Sequence, residues 1–312
     1  MNLLKNLARW KNFFVISIIC LIFSLMLRSL IISWNKIPLE KISFNWTYLL
    51  SAFAILFFCF CYGSYSWKIT LKMFGENISF RKSLEIIALT QVGRYIPGKV
   101  WAIAGQSILA KRENISIQNA VTSVVLMNVG YVIANLIITS LCIGLSTIRF
   151  SLFSSFILVF IFIGGLCLMH PFIINKIIHT VKKLFKKDIS IDRVPITFLN
   201  SLTLVIIFVV GGIIQAIGFC FLVHSFYDLK LEIYPLIIGS YAGAWVLGFL
   251  AIIMPAGIGV KEGALAYFLS FYIPHSVAII SSILARVWIT VGELVLFTLF
   301  AKNLRKYFST VK

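Results

Sequence analysis

Side chains suited to catalysis are scarce in this chain: its 312 residues include four histidines and ten carboxylates. His170, His179, His224 and His275 fall at expected helix ends or in loops, with no partner at ligand spacing, and read as interfacial residues. Asp188 and Asp192 make a bare D-x-x-x-D inside a basic loop, a spacing too common to mark a metal-dependent transferase. There is no G-x-S-x-G and no P-loop. The six cysteines (Cys20, Cys59, Cys61, Cys142, Cys167 and Cys220) lie within apolar runs, away from any thiol-ligand spacing, which argues against a zinc site and a disulfide framework. Lys5, Arg9 and Lys11 precede an apolar run as in a signal peptide, but no small-residue cleavage pattern follows, so the first helix is expected to be retained. The expectation is a protein without cofactor, metal or enzymatic role. With no nucleotide-binding domain in the sequence, direct ATP drive is not expected either.

Apolar sequence, by contrast, is abundant. At 60% apolar residues, the chain reads as lipid-embedded helix with no room for a separate soluble domain. The net charge of +18 would suit nucleic acid, but its placement points elsewhere. Of the 28 Lys and Arg residues, 19 fall in the segments 1–12, 68–82, 110–118, 170–197 and 301–312, which would share one face. Only Lys36, Lys41, Arg149 and Lys230 fall on the other. That asymmetry is the positive-inside pattern, so both termini are expected in the cytoplasm and the protein in the cytoplasmic membrane. Lys182, Lys183, Lys186 and Lys187 lie in the largest basic loop, suited to anionic headgroups at the cytoplasmic face.

Six full crossings are expected, at 13–33, 46–67, 119–145, 150–169, 198–227 and 276–301. Arg28 can snorkel to the interface, and Trp34, Trp46 and Trp67 sit where interfacial anchors do. Two further apolar stretches are broken. Segment 83–110 has basic residues on both flanks, so a hairpin that enters and returns suits it better than a crossing, with the break at Gly93, Pro97 and Gly98. Segment 234–273 is interrupted by M-P-A-G-I-G-V-K-E-G at 254–263. Pro255 removes a backbone donor there, and too few residues remain before Pro274 for a second crossing, so a hairpin from the outer face is favoured over two crossings. The fold class is therefore an all-α polytopic membrane protein, about six spanning helices plus two proline-broken re-entrant hairpins in a single transmembrane domain.

The two halves, about 1–145 and 150–312, share this order of elements in opposite orientation. A shift of 158 residues, without gaps, pairs Pro97 with Pro255, Gly105 with Gly263, Ala120 with Ala278 and Ser123 with Ser281. It also pairs Asn128 with Arg286 and Asn135 with Glu293. An inverted repeat with broken elements near the midplane is the architecture of secondary transporters.

Arg28, Arg94, Lys99, Lys261 and Arg286 fall inside apolar segments, with Glu85, Glu262 and Glu293 as acidic counterparts. Each such charge costs about 2.5–3.5 kcal/mol on insertion scales, so these groups should face a cavity or one another. On one reading, Arg94, Lys99, Lys261 and Arg286 bind a phosphate or other anionic headgroup, aided by N–H groups at the breaks. On a purely structural reading, Glu262 pairs with Arg286 and Glu293 with Lys261, pinning hairpin to helix. Arg286 and Glu293, seven apart, can point at the same neighbour. Both readings can hold together.

The P-x-G-x-G-x-x-E-G pattern of Pro255, Gly257, Gly259, Glu262 and Gly263, followed by Arg286, resembles the transmembrane region of lysylphosphatidylglycerol synthase and its stand-alone flippase-like relatives. R-x-I-P-G, formed by Arg94, Ile96, Pro97 and Gly98, is similar to the first hairpin of that family, with Lys99 standing where a second glycine is usual. The resemblance spans nearly the whole chain. It implies a lipid-translocating module and, through the stand-alone relatives, an association with enzymes of envelope glycolipid or polysaccharide synthesis. Nothing here resembles the soluble aminoacyl-transferase half, so lysine transfer is not implied. The expected function is a flippase-like transporter of a phospholipid or polyprenyl-phosphate glycolipid. Its substrate would meet Arg94, Pro97, Gly98, Lys99, Pro255, Gly257, Gly259, Lys261, Glu262, Arg286 and Glu293. A membrane-embedded transferase acting on a lipid-linked sugar, with Glu262 or Glu293 as base, is the alternative.

Overall fold

The computed structural model describes residues 43–96, 100–144, 197–251 and 254–309. Among these there are eight α-helices and no strand: α1 (Trp46–Met73), α2 (Phe80–Thr90), α3 (Val100–Arg112), α4 (Ile117–Gly144), α5 (Phe198–His224), α6 (Tyr234–Leu250), α7 (Val260–Leu269) and α8 (His275–Ser309). Five of the eight, α1, α4, α5, α6 and α8, are long and apolar enough to cross a bilayer, α6 together with the short 3-10 turn Leu231–Ile233 before it. Helices α2, α3 and α7 have 11, 13 and 10 residues, short of the roughly 20 that a crossing needs. The protein is an all-α, multi-pass membrane protein.

Four of the expected crossings reappear as α1, α4, α5 and α8, each beginning within two residues of its expected start. Those at 13–33 and 150–169, together with Arg28, Trp34 and the basic loop at 182–187, lie outside the described residues. Helix α6, expected as the first arm of the second hairpin, is long for an arm: with the turn before it, the stretch Leu231–Leu250 has the length and composition to cross a bilayer.

Polar side chains fix where the helices begin. The Asn45 side chain accepts the Thr47 N–H at 3.1 Å, Ser79 accepts from Lys82 at 3.3 Å, and Thr197 accepts from Asn200 at 3.3 Å. Each satisfies an N–H that the helix itself cannot. Within α1 the hydroxyls of Ser64, Ser66 and Thr70 donate to carbonyls four residues back, so polar atoms remain paired inside an apolar helix. Large apolar side chains such as Trp46, Leu50, Leu199 and Leu299 face outward, as a lipid-facing surface requires.

Buried side chains gather into two clusters that share α1 and α5. One joins those helices to α2, α3 and α4 around Trp67, Ile86 and Phe208. The other joins them to α6, α7 and α8 around Phe219, Tyr241 and Trp288. Trp67 therefore corrects an expectation. It is fully buried rather than interfacial, because α1 continues past it to Met73. Its indole N–H donates to Ser123 Oγ of α4 at 3.0 Å. We expect Ser123→Ala to lower stability by about 1–3 kcal/mol, since it strands a buried donor. Thermal unfolding in detergent, with Thr122→Ala alongside for comparison, measures this.

Candidate functional site between two broken helices

The stretch that ends just before Pro97 and the stretch that holds Pro255 come together in space. The first break is the 3-10 turn Gln91–Tyr95, which follows α2 directly, and the second is the turn Pro255–Gly257 ahead of α7. The two turns pack against each other and the first also against α8. Close backbone approach explains the small residues. A Cβ on Gly93 would lie 2.8 Å from the Ala102 amide nitrogen of α3. A Cβ on Gly257 would lie 2.6 Å from the Gly248 carbonyl oxygen of α6. Ala256 holds a left-handed backbone at φ +49°. Just beyond, the Glu262 carboxylate accepts the Gly259 N–H at 2.7 Å and closes the first turn of α7.

Helix α8 is fastened to both breaks by residues two turns apart. Glu293 forms an ion pair with Arg94 of the first break and accepts the Tyr95 hydroxyl at 2.8 Å. Arg286 donates from Nη1 to the Ala256 carbonyl of the second break at 3.1 Å. The same nitrogen lies 3.6 Å from Glu262 Oε1. The guanidinium also stands 5.3 Å from the Tyr95 ring centroid, and Lys261 Nζ stands 4.8 Å from that of Tyr241, both within cation–π range.

Between these groups is a cavity of about 310 Å³, to which every described helix and both breaks contribute lining residues. Arg94, Lys261, Arg286 and Glu293 face it, three cations against one carboxylate. Two donors of Arg286, Nε and Nη2, are buried without a hydrogen-bond partner among the described residues. Arg94 keeps 39% of its side chain accessible while its partner Glu293 keeps 4%, so Arg94 can hold the carboxylate and still meet a ligand.

The family model described as lysylphosphatidylglycerol synthase TM region matches residues 13–296. The chain belongs to that family. No curated protein matches it. In this lysylphosphatidylglycerol synthase TM region protein, Arg94, Lys261, Arg286 and Glu293 share one cavity, with Glu262 joined to it through Arg286. Pro255 opens the second turn, Gly257 packs on α6, and Gly259 precedes α7. Pro97, Gly98 and Lys99 lie outside the described residues.

One anticipated pairing is corrected. Glu262 does face Arg286, but Glu293 takes Arg94 rather than Lys261. Lys261 has no carboxylate partner among the described residues and lies over Tyr241 instead. Tyr95, Tyr241 and the glutamines Gln91, Gln106 and Gln215 belong to the site and were missed. Gln106 and Gln215 did carry a signal, as polar residues in apolar helices.

Proposed function

We propose that the protein is a flippase-like transporter that carries an anionic lipid headgroup across the cytoplasmic membrane while the acyl or prenyl tails stay in the bilayer. The observation that carries this reading is the unpaired edge of Arg286. Nε and Nη2 are the parallel pair of donors with which a guanidinium takes a phosphate bidentately, and here they are buried in a membrane protein beside two further cations. Burying donors without partners is unfavourable, so an anion in the cavity is stabilised where water is scarce. A cavity of about 310 Å³ is at the small end of ligand pockets, roughly 300–1,000 Å³, suited to a headgroup and too small for a whole lipid.

On this reading Arg94, Lys261 and Arg286 hold the headgroup, joined by Lys99 at the first hairpin. Pro97, Gly98, Pro255, Gly257 and Gly259 keep the breaks open, and Glu262 and Glu293 position the arginines. Both breaks are then the tips of re-entrant hairpins, and the halves form an inverted repeat whose rocking alternates access. The register supports this, because α4 and α8 begin at Ile117 and His275, 158 residues apart, the same shift that aligns the prolines. A transferase reading gains less support, since each proposed base is already engaged, Glu262 by the Gly259 N–H and Glu293 by Arg94 and Tyr95.

The test is headgroup movement in proteoliposomes, read as dithionite quenching of fluorescent lipids. We expect the full chain to accelerate an anionic phospholipid well beyond phosphatidylcholine, and Arg94→Ala to lose most of that excess. No acceleration by folded protein, or equal acceleration of both lipids, would overturn the proposal.

A further inference from the structure

The charges around the cavity do not cancel. Glu293 offsets Arg94 and Glu262 faces Arg286, so among the described residues one cation of the cavity is left over, Lys261. Its side chain is half-buried and its stem lies tight against α6, where a Cβ on Gly248 would come within 2.7 Å of the Lys261 Cβ. Its amine stands over the ring of Tyr241, which is itself buried and stacked on Phe219 at 4.7 Å. A ring attracts an ammonium but supplies no counter-charge.

A carrier that alternates access returns empty as well as loaded. A net charge in a membrane cavity is costly without a counter-ion. With a phosphodiester monoanion bound, the leftover ammonium is neutralised. With the cavity empty, it is neutralised only by releasing a proton. Lysine is the group able to do so, because a guanidinium keeps its proton and Arg94 and Arg286 stay charged. Both carboxylates are engaged as acceptors, Glu293 by Arg94 and Tyr95, and Glu262 by the Gly259 N–H beside Arg286. No histidine lines the cavity among the described residues, and the phenols of Tyr62, Tyr95 and Tyr131 and the Cys59 thiol on its wall carry no charge at neutral pH. The two guanidiniums favour the neutral amine of Lys261, and Glu262 beside it in the chain favours the ammonium. An arriving anion tips that balance toward the ammonium.

We infer that Lys261 is a proton site coupled to the headgroup, so that one proton crosses with each anion. The rest follows from charge. The Lys261 amine takes a proton from the aqueous face at which the headgroup enters, holds it as an N–H bond while the anion is bound, and returns it at the face where the headgroup leaves. The loaded and the empty cavity are then both neutral among the described residues. Movement responds to a pH difference and not to a membrane potential. The inference rests on the headgroup-moving reading above and adds what drives it.

The experiment uses proteoliposomes of the full chain with a trace of tail-labelled phosphatidylglycerol, a phosphodiester monoanion. Dithionite quenching reads its distribution between the leaflets once that distribution stops changing, so the orientation of the protein does not matter. One arm holds a pH difference without a potential. The other holds a potassium-valinomycin potential without a pH difference, and protein-free vesicles give the baseline over the same time. One proton per headgroup predicts an enrichment in the leaflet facing the alkaline side of about tenfold per pH unit, and no shift with potential. A distribution that ignores the pH difference, or that follows the potential, would overturn the proton inference and leave the transporter reading standing. No movement of the lipid would overturn both. Lys261→Arg and Lys261→Gln, neither of which can exchange a proton at neutral pH, should abolish the pH response, and its persistence in either would overturn the assignment to Lys261. Because the two gradients are compared on the unmodified protein, the coupling is decided even if a variant fails to fold.

Discussion

Replacing Arg286 with lysine should remove selective lipid binding while leaving the protein folded. The two duties of this side chain fall on different nitrogens. Nη1 makes the contacts with Ala256 and Glu262 that fasten α8 to the second break, whereas Nε and Nη2 form the edge with no protein partner. A lysine ammonium can still neutralise Glu262 or donate to the Ala256 carbonyl, but as a point charge it cannot present two parallel donors. The fastening is then partly kept and the bidentate edge is lost. Two charge-assisted hydrogen bonds correspond to a weakening of about a hundredfold or more. Native mass spectrometry of the gently purified protein reads this as loss of a bound anionic lipid, with Arg286→Ala as comparator. The alanine variant should lose both lipid and stability, since Glu262 keeps only the Gly259 N–H. Retention of the lipid by the lysine variant together with a lower melting temperature would assign Arg286 a purely structural role.

Much of this site was readable because a membrane makes polar residues and prolines costly. Pro255 marked a break, since a helix interior does not accept its ring, and Arg286 and Glu293 stood out as charges in an apolar run at a spacing that puts them on one face. Even the Glu262–Arg286 contact was foreseeable from one motif and one helix. The Glu293 partner was not. Tyr95 and Glu293 are 198 residues apart, and the first break meets α8 only once the helices have packed. Trp67 shows a local signal overridden by length: a tryptophan near an expected helix end reads as an anchor until the helix runs on and buries it. The glutamines show the opposite case. Each was visible, but a lone Gln within a helix does not say which neighbour it faces, and only the packing of α3 and α5 gathers Gln106 and Gln215 at one cavity.

The three glycines of the second motif should respond to alanine in sharply different degrees. At Gly257 the new Cβ would lie 2.6–3.0 Å from the Gly248 carbonyl oxygen, Cα and carbonyl carbon, on a backbone held at φ +71°. Backbone cannot swing aside like a side-chain end, so overlap and left-handed strain add, and we expect a loss of about 3–5 kcal/mol. At Gly259 φ is +82° but nothing lies within 4 Å of the added carbon. Strain acts alone there, about 1–2 kcal/mol. At Gly263, inside α7, nothing lies within 4 Å and no positive φ is present, so alanine should leave stability level or raise it by about 0.5–1 kcal/mol. Thermal unfolding of the three variants in one detergent should rank them in that order, Gly257→Ala far below the rest. If Gly257→Ala melted with the parent protein, the close contact between the second break and α6 would be ruled out, and with it the fixed position of Ala256 from which Arg286 takes its orientation. If the order holds but Gly263→Ala still stops lipid movement, that glycine is needed for the passage of the headgroup past α7, because neither overlap nor strain would explain the loss.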